Sequence, residues 1–358
     1  MGSKVYFIKA SIDEGGKAVS EKAVKVFKAG GFASCFREND FTAVKVHVGE
    51  AGNNTYIEAP YIRGLVDELL KLKTRPFITD TSTLYVGRRH NAIDHAMLAN
   101  EHGFCIKGLG IPFIPPDGLF GTSETAIEIN CELNKEVFVA YDIARCQSIL
   151  SVAHFTGHVA ACAAATLKTL GMGCTSRKAK MRQHSALKPH VNDNCTVCGE
   201  CYKYCPADAI TLDDVKAYID RDKCIGCAEC VAVCRFEAAQ YDWNAENILL
   251  EKNIAEHAKG VLKGKENRAA FFNYVMSVAK DCDCFDTPDI RRIVDDIGIL
   301  ASTDPVAVDK TSLDLVEDAG GKSLAKLIGN TKLNPIYQLE HAEGIGLGSM
   351  DYELIEVD

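Results

Sequence analysis

Eight of the sixteen cysteines in this chain lie within one short stretch, in two runs of the same spacing. Both runs read C-x2-C-x2-C-x3-C, and their members are Cys195, Cys198, Cys201 and Cys205, then Cys224, Cys227, Cys230 and Cys234. Four thiolates also bind zinc, but zinc sites favour two separated C-x2-C pairs over two complete runs of four. The spacing therefore favours iron–sulfur clusters over zinc.

The two runs resemble the repeat of the bacterial two-cluster ferredoxins. In that repeat, three cysteines of a run bind one 4Fe-4S cluster and the fourth binds the other cluster. The resemblance implies one cluster on Cys195, Cys198, Cys201 and Cys234, and a second on Cys224, Cys227, Cys230 and Cys205. Arg235 stands where a proline usually follows the fourth cysteine, and this departure removes no ligand.

The charge of the chain indicates its classes of partner. A formal net charge of -9 argues against a nucleic-acid partner. Residues 191–240 carry nine acidic against five basic residues, a formal charge of -4. An acidic surface of this kind suits docking to a basic redox partner protein or another low-potential electron donor.

The length of the apolar runs and the N-terminal residues predict the location. No apolar run approaches the roughly 18 residues of a membrane-spanning helix, and the first residues have no signal-peptide pattern. We therefore expect a cytoplasmic protein without a membrane span. Disulfides are rare in the cytoplasm, so sixteen cysteines indicate metal or redox chemistry. Oxygen-sensitive iron–sulfur clusters would fit an anaerobic lifestyle.

Strands and helices alternate on both sides of the cysteine runs, which predicts an α/β fold with a mostly parallel sheet covered by helices. The predicted strands are residues 5–9, 43–48, 77–80, 149–153, 297–301 and 352–357, and the predicted helices are residues 21–28, 60–72, 91–102, 159–170, 267–279, 311–318 and 322–328. Neither flank reads as a complete domain. We expect a discontinuous α/β body, residues 1–190 and 241–358, interrupted by a small α+β ferredoxin-like insertion at residues 191–240.

Polar side chains follow the predicted strand that ends at Asp80. The segment from Thr79 to His95 contains several hydroxyls and then Tyr85, Arg88 and Arg89. Ligands of open α/β sheets bind beyond the carboxyl ends of strands, where these side chains are expected. A solvated loop that caps the next helix is the alternative.

The fifty residues between Asp142 and Asp193 contain no acidic side chain. They carry seven Lys and Arg residues and four of the ten histidines, among them Lys168, His154 and His158. The charge pattern predicts a pocket for an anionic small molecule, or equally a basic face that docks on a partner or on the acidic cysteine-rich segment. A lysine at the end of a helix also serves simply as a C-terminal charge.

A second cysteine motif, DCDC, places Cys282 and Cys284 one residue apart among acidic side chains. Two such thiols are able to clamp a soft metal ion, and an unrelated pair of cysteines is the alternative. The six remaining cysteines are scattered, and most are expected to be buried as small apolar residues; they are Cys35, Cys105, Cys131, Cys146, Cys162 and Cys174.

Five motifs, taken together in this order, resemble those of the DUF362 family of uncharacterised iron–sulfur proteins. They are VKVHVGEAGN at 44–53, DTSTLYVGRRHNAIDH at 80–95, HFTGH with TLKTLGMGC at 154–174, DCDC at 281–284 and DIGILASTDPVAVDK at 296–310. The resemblance covers nearly the whole chain and implies an iron–sulfur protein in which the two-cluster module is inserted.

The leading expectation is an oxidoreductase in which the clusters pass electrons to or from a substrate or an additional organic or metal cofactor. His154 and His158 are expected as ligands or proton donors, and Lys168 and Arg88 as anion clamps. The remaining polar groups expected in the pocket are His47 and Tyr85.

Two other functions fit the same residues. One is an electron carrier or accessory protein without its own catalysis, and the other is metal delivery through Cys282 and Cys284. The chain has no G-x-S-x-G and no G-x4-G-K-[ST] motif, which argues against a serine hydrolase and a P-loop nucleotidase.

Overall fold

A seven-stranded mixed sheet is the largest element of the computed structural model, which describes residues 2–184, 188–224, 226, 229–240, 248–285 and 291–358. The described strands are β1 (Ser3–Lys9), β2 (Phe41–Val46), β3 (Arg75–Thr79), β4 (Glu124–Glu128), β5 (Glu136–Ala140), β6 (Ser148–His154), β7 (Thr156–His158), β8 (Cys162–Ala164), β9 (His190–Val191), β10 (Ile210–Leu212), β11 (Ala217–Ile219), β12 (Ala239–Gln240), β13 (Ala269–Val275), β14 (Gly298–Ser302) and β15 (Tyr352–Glu356).

Helices cover both faces of this sheet. The described α-helices are α1 (Gly15–Ala29), α2 (Ala59–Lys71), α3 (Ala92–Glu101), α4 (Ile106–Leu109), α5 (Tyr141–Arg145), α6 (Thr166–Gly171), α7 (Arg177–His184), α8 (Glu200–Lys203), α9 (Glu229–Ala232), α10 (Ile248–Leu262), α11 (Pro305–Gly320), α12 (Leu324–Ile328) and α13 (Ile336–Gly344). Short 3-10 helices span Ile12–Glu14 and Phe32–Cys35.

The strand order of the large sheet is β15-β1-β14-β13-β6-β2-β3. Only β14 runs antiparallel to its neighbours β1 and β13, and the other pairs are parallel. The predicted α/β fold with a mostly parallel sheet is therefore confirmed. Strands from both sides of the cysteine-rich segment join this one sheet.

Two apolar cores lie on opposite faces of the sheet. Successive residues alternate between them: Phe271 belongs to the core that contains α10 and α11, and Phe272 belongs to the core that contains α1 and α2. Both side chains are almost fully buried. Side chains of a strand point alternately to the two faces, so a strand covered on both faces is apolar at every position.

This double burial explains one wrong prediction. A helix was predicted over residues 267–279, but Ala269–Val275 within this range form β13. The run AAFFNYV is buried throughout, so it shows no period of two. Periodicity alone does not distinguish a buried strand from a buried helix.

The helix predicted over 159–170 is also largely wrong. Residues 156–164 form the hairpin of β7 and β8, and α6 begins only at Thr166. Cys162 adopts a positive φ of 57°, which a helix does not allow. The β4–β5 hairpin, α10 and α13 were not predicted at all.

The cysteine-rich segment folds into small elements. Two-stranded antiparallel sheets join β9 to β12 and β10 to β11, and the short helices α8 and α9 contain Cys201 and Cys230. Ile210, Ala217 and Ala239 form its apolar core together with cysteine side chains. Cys227 of the second run lies outside the described residues.

Candidate functional site

A cavity of about 730 Å³ opens at the carboxyl ends of β2, β3 and β6. His47 and Asp80 directly follow β2 and β3, and His154 is the last residue of β6. Residues of β7, β8 and α6, and residues 280–285, line the other sides. The cavity thus lies where ligands bind in open α/β sheets.

Buried charges form an ion-pair network at one side of the cavity. Lys45 Nζ donates to Asp80 Oδ1 at 2.9 Å, and Arg89 Nη1 donates to Asp80 Oδ2 at 3.2 Å. Arg89 Nε also donates to Glu50 Oε2 at 3.2 Å. Burial alone would raise the pKa of Asp80, but the charge of Lys45 holds it well below its usual range. A Cβ at Gly173 would lie 2.8 Å from Lys45 Cε, so this glycine leaves room for the lysine.

The two neighbouring arginines point to different places. Arg88 pairs with Glu101 at the outer surface through both terminal nitrogens, and it does not line the cavity. Arg89 is 2 % exposed and lines the cavity. Arg88, predicted as an anion clamp in the pocket, therefore does not face the cavity, whereas its neighbour Arg89 does. Tyr85 lines the cavity as predicted, and its hydroxyl contacts both Glu50 and Arg89.

Both ring nitrogens of His154 are already hydrogen-bonded. Nδ1 lies 2.8 Å from Asp283 Oδ2, and Nε2 lies 2.8 Å from the carbonyl oxygen of Met276. Burial would lower the pKa of His154, but the charge of Asp283 raises it above its usual value. Both nitrogens face oxygen acceptors, so the imidazolium form would satisfy both contacts. This geometry leaves neither nitrogen of His154 free to bind a metal ion.

His158 is held in one tautomer by the backbone. Its Nδ1 accepts the N–H groups of Ala160 at 3.1 Å and Ala161 at 2.9 Å. Burial, and then the charge of Lys168, lower the pKa of His158 well below its usual value. The neutral ring carries its proton on Nε2, because Nδ1 accepts. His158 therefore presents a hydrogen-bond donor to the cavity that it lines.

Two further polar side chains line the same cavity without a described hydrogen-bond partner. Lys168 Nζ has no hydrogen bond or ion pair with the residues that the structure describes, and the hydroxyl of Thr156, 1 % exposed, also lacks a described partner. Burial would lower the pKa of Lys168, but Cys282 and Cys284 raise it, so the ammonium keeps its charge. An ammonium, an imidazole N–H and a hydroxyl together suit an anionic ligand.

A second lysine of the cavity titrates near neutral pH. Lys180 Nζ donates to Thr81 Oγ1 at 2.7 Å and to the carbonyl oxygen of Thr175 at 2.6 Å. Burial lowers the pKa of Lys180 to about 8. The sequence singled out this lysine only as one of seven basic residues in the acid-free window.

The rest of that window serves other contacts. Lys178 and Arg182 lie over the ring of Phe138 in the β4–β5 hairpin. Lys188 donates to the carbonyl oxygen of Cys224 in the cysteine-rich segment. The basic residues of the window therefore divide between the wall of the cavity and contacts elsewhere.

Cys282 and Cys284 reach the cavity from a tight turn. His47 Nδ1 accepts the N–H of Gly49 at 3.1 Å, which leaves the proton on Nε2, 3.3 Å from Cys284 Sγ. The neighbouring thiol of Cys282 lowers the pKa of Cys284 well below that of a free thiol, whereas the neighbouring sulfur of Cys284, together with burial, raises the pKa of Cys282. Cys284 is therefore the more acidic of the two thiols.

The described residues of this turn do not complete a metal site. No three His, Cys, Asp or Glu side chains in the described part of the chain lie close enough together to hold one metal ion. The predicted extra metal at Cys282 and Cys284 thus gains no third ligand there. A cubane cluster is a different case, because its four irons hold the thiolates farther apart than a single ion does.

Four cysteines surround a second, smaller cavity, and they are the four predicted for the first cluster: Cys195, Cys198, Cys201 and Cys234. Ala217 N–H donates to Cys195 Sγ at 3.4 Å, and Ala238 N–H donates to Cys234 Sγ at 3.3 Å. Peptide N–H donors stabilise thiolates, and donors of this kind set the potential of a cluster. The donor set therefore fits a 4Fe-4S cluster.

Three of the four cysteines predicted for the second cluster lie in the described part of the chain. Ala209 N–H donates to Cys205 Sγ at 3.3 Å, and Gly226 N–H donates to Cys224 Sγ at 3.4 Å. Cys230 is buried in the apolar core of this segment. The same kind of sulfur environment therefore recurs in the second run.

Val231 links the cysteine-rich segment to an apolar cluster beside the large cavity. Next to Cys230, it packs in the cysteine-containing core and also against the cluster of Ala160, Ala161, Leu250 and Ile254, on which Val159 and Met172 pack as well. Val159 and Met172 line the large cavity. The second cysteine run and the wall of the candidate ligand site therefore share one apolar cluster.

Comparison with known proteins places this architecture in a family. The family model described as "Domain of unknown function (DUF362)" matches residues 42–314, more than half of the chain. This chain belongs to the DUF362 family. The match spans β2 to α11 and includes every cavity residue named above.

Comparison with curated proteins gives no match. In the described residues of this DUF362 protein, no helix is both long and apolar enough to cross a membrane. The description of the family carries no activity, so the chemistry must be argued from the residues.

Proposed function

We propose that this protein is an iron–sulfur redox protein in which two 4Fe-4S clusters exchange electrons with an anionic substrate or cofactor in the large cavity. The proposal is supported by the packing of Val231, the neighbour of Cys230, on the same apolar cluster as the cavity-lining Val159 and Met172. Electrons pass efficiently only over short distances. A cluster on the second cysteine run would lie within such a distance of the ligand.

Different residues of the chain have different roles in the proposed function. The eight cysteines hold the clusters, which supply single electrons at low potential. Lys168, His158 and Thr156 bind the anionic part of the ligand with an ammonium, a ring N–H and a hydroxyl. Lys180, with its pKa of about 8, is placed to give or take a proton close to neutral pH.

A redox partner is part of the proposal. Cys198 is exposed, so one cluster would lie close to the surface of the acidic segment. This position suits electron exchange with a basic partner protein. It also favours the second candidate function, an electron carrier or accessory protein without its own catalysis.

Metal and ligand analysis of protein purified without oxygen tests the proposal. We expect about eight irons per chain, from two 4Fe-4S clusters, and a small organic anion or a further metal released on denaturation. Iron without any second ligand would favour the electron-carrier function. Absence of iron from anaerobic protein would overturn both.

A pair of variants tests the ligand site. Lys168→Met should lose the released anion and keep its iron, because Lys168 lines the large cavity, which none of the eight cysteines of the two runs lines. Lys178→Met is the matched control from the same basic window, since this lysine pairs with Glu124 and lies over Phe138 outside the cavity. Equal anion content in both variants would contradict the assigned site.

A further inference from the structure

We propose that Cys282 and Cys284 form a dithiol–disulfide couple that reduces the disulfide bond of a small anionic molecule bound in the large cavity. This inference rests on the proposed redox function, because a low-potential one-electron donor must restore the dithiol.

The turn that carries the two cysteines is firmly anchored. Phe285 N–H donates to the carbonyl oxygen of Cys282 at 3.3 Å, which closes the turn. Asp283, between the cysteines, accepts from Thr55 at 2.9 Å and pairs with His154 at 2.8 Å. The Glu50 N–H donates to the carbonyl oxygen of Asp283 at 3.0 Å. Residues two apart in such a turn bring their Cα atoms within disulfide range.

The surroundings distinguish the roles of the two sulfurs. Cys284 Sγ receives the Nε2–H of His47 at 3.3 Å, and the unpaired ammonium of Lys168 lies on the same cavity. Both groups favour a negative sulfur, and the thiolate is the nucleophile in disulfide exchange. Cys282 is 5 % exposed and keeps its proton. Cys284 therefore attacks first and Cys282 resolves.

The exchange balances in two steps. The Cys284 thiolate forms a bond to one sulfur of the substrate disulfide, and the other sulfur leaves as a thiolate. Cys282 then releases its proton and attacks Cys284 Sγ, which expels the second thiolate and leaves a Cys282–Cys284 disulfide. Two electrons from a one-electron donor and one proton restore a thiol on Cys282 and a thiolate on Cys284.

The substrate is bound by polar groups of the cavity that have no hydrogen-bond partner among the described residues. The ammonium of Lys168, the Nε2–H of His158 and the hydroxyl of Thr156 suit carboxylate groups of the molecule. A cavity of about 730 Å³ accepts a small disulfide but not a folded protein. The predicted substrates are therefore small acidic disulfides.

Oxidised glutathione is a suitable probe, because it is a small disulfide with several carboxylates. Full-length anaerobic protein is incubated with it, quenched in acid, alkylated and mapped by peptide mass spectrometry. We expect the peptide with Cys282 and Cys284 to lose both alkylation sites together, while Cys105 of the same molecule stays alkylated. If both cysteines stay alkylated, the proposal is wrong.

Serine variants test the order of attack. Cys282→Ser should trap glutathione as a mixed disulfide on Cys284, because the resolving thiol is absent. Cys105→Ser is the control and should form the internal disulfide as the unchanged protein does. A mixed disulfide on residue 282 in Cys284→Ser at the same rate would contradict the assigned nucleophile.

Variants of His47 test the activation of the nucleophile without any substrate. His47→Leu removes the N–H donor, so alkylation of Cys284 by iodoacetamide at neutral pH should slow about tenfold. His47→Gln keeps an N–H donor and should restore most of the rate. An unchanged rate in His47→Leu would contradict the activation.

Different results would show that the dithiol–disulfide couple is wrong and that the iron–sulfur function is wrong. Protein with about eight irons and inert Cys282 and Cys284 would remove the couple and leave the iron–sulfur function. If the protein contains no iron but Cys282 and Cys284 still exchange with oxidised glutathione, the couple is supported and the clusters are excluded as its electron source.

Discussion

Arg88 and Arg89 are neighbours in the sequence with opposite environments. Arg89 is 2 % exposed between the carboxylates of Glu50 and Asp80, whereas Arg88 pairs with the half-exposed Glu101. A buried carboxylate that loses its cation is left uncompensated, but an exposed one is solvated by water. The two positions should therefore differ strongly in their effect on stability.

Replacing each arginine by methionine tests this difference. We expect Arg89→Met to lower the free energy of unfolding by about 3–5 kcal/mol, and Arg88→Met to lower it by less than about 1 kcal/mol. Denaturant unfolding of the two variants measures both values. Equal losses would show that the buried network does not stabilise the cavity.

The sequence predicted that the polar segment after β3 lines a pocket, but it did not show which of the two arginines faces the cavity. The sequence predicts that polar side chains follow β3, and Asp80, Tyr85 and Arg89 do line the cavity. Which arginine turns inward depends on the path of the loop, and that path leaves no periodic pattern. The tautomer of His158 is similarly set by the N–H groups of Ala160 and Ala161, which no residue pattern reveals.

Helix α10 contains a buried acid without a counter-charge. Glu251 is 1 % exposed, its Oε2 has no partner among the described residues, and burial raises its pKa to about 9. The folded protein therefore binds one more proton at this site than the unfolded chain between the unfolded pKa, near 4.5, and about 9. Its contribution to stability is complete below 4.5 and is lost as the pH rises through 9.

The variant Glu251→Gln should remove this dependence. We expect the free energy of unfolding of the unchanged protein to fall relative to the variant by up to about 1.4 kcal/mol per pH unit in this window. Unfolding titrations of both proteins at pH 6, 7 and 8 give the difference. A constant difference across these values would contradict the raised pKa.

At the scale of elements, amphipathic helices were predictable and doubly buried segments were not. Helices α1 and α2 each have one apolar face, and the sequence located both. Strand β13 is buried at every position and was predicted as a helix. The β7–β8 hairpin depends on a positive φ at Cys162, a residue that gives no sign of a turn.

The large sheet brings together residues from both ends of the chain. Strand β1 pairs with β14 and β15, and β13 pairs with β6. These distant pairings place the turn with Cys282 and Cys284 in the same cavity as His158 and Lys168. The sequence singled out each of these motifs separately, but only the strand order joins them in one cavity.

The distribution of charge predicts how the proposed clusters would exchange electrons with small acceptors. Residues 191–240 carry a net formal charge of -4, from nine acidic and five basic residues, so cationic acceptors should be attracted to this segment, where Cys198 of the proposed first cluster is exposed. Added salt should slow oxidation of the reduced protein by hexaammineruthenium(III) and speed oxidation by ferricyanide. Stopped-flow spectroscopy measures both rates, and identical salt responses would contradict docking at the acidic segment.

The most direct test of the central claim is iron analysis combined with electron paramagnetic resonance of dithionite-reduced, anaerobic protein. The unchanged protein should contain about eight irons and show two magnetically interacting clusters, and Cys234→Ser should lose one cluster and approach about four irons. The control Cys131→Ser, outside both cysteine runs, should match the unchanged protein. A chain without iron, or a Cys234→Ser protein with both clusters intact, would contradict the account.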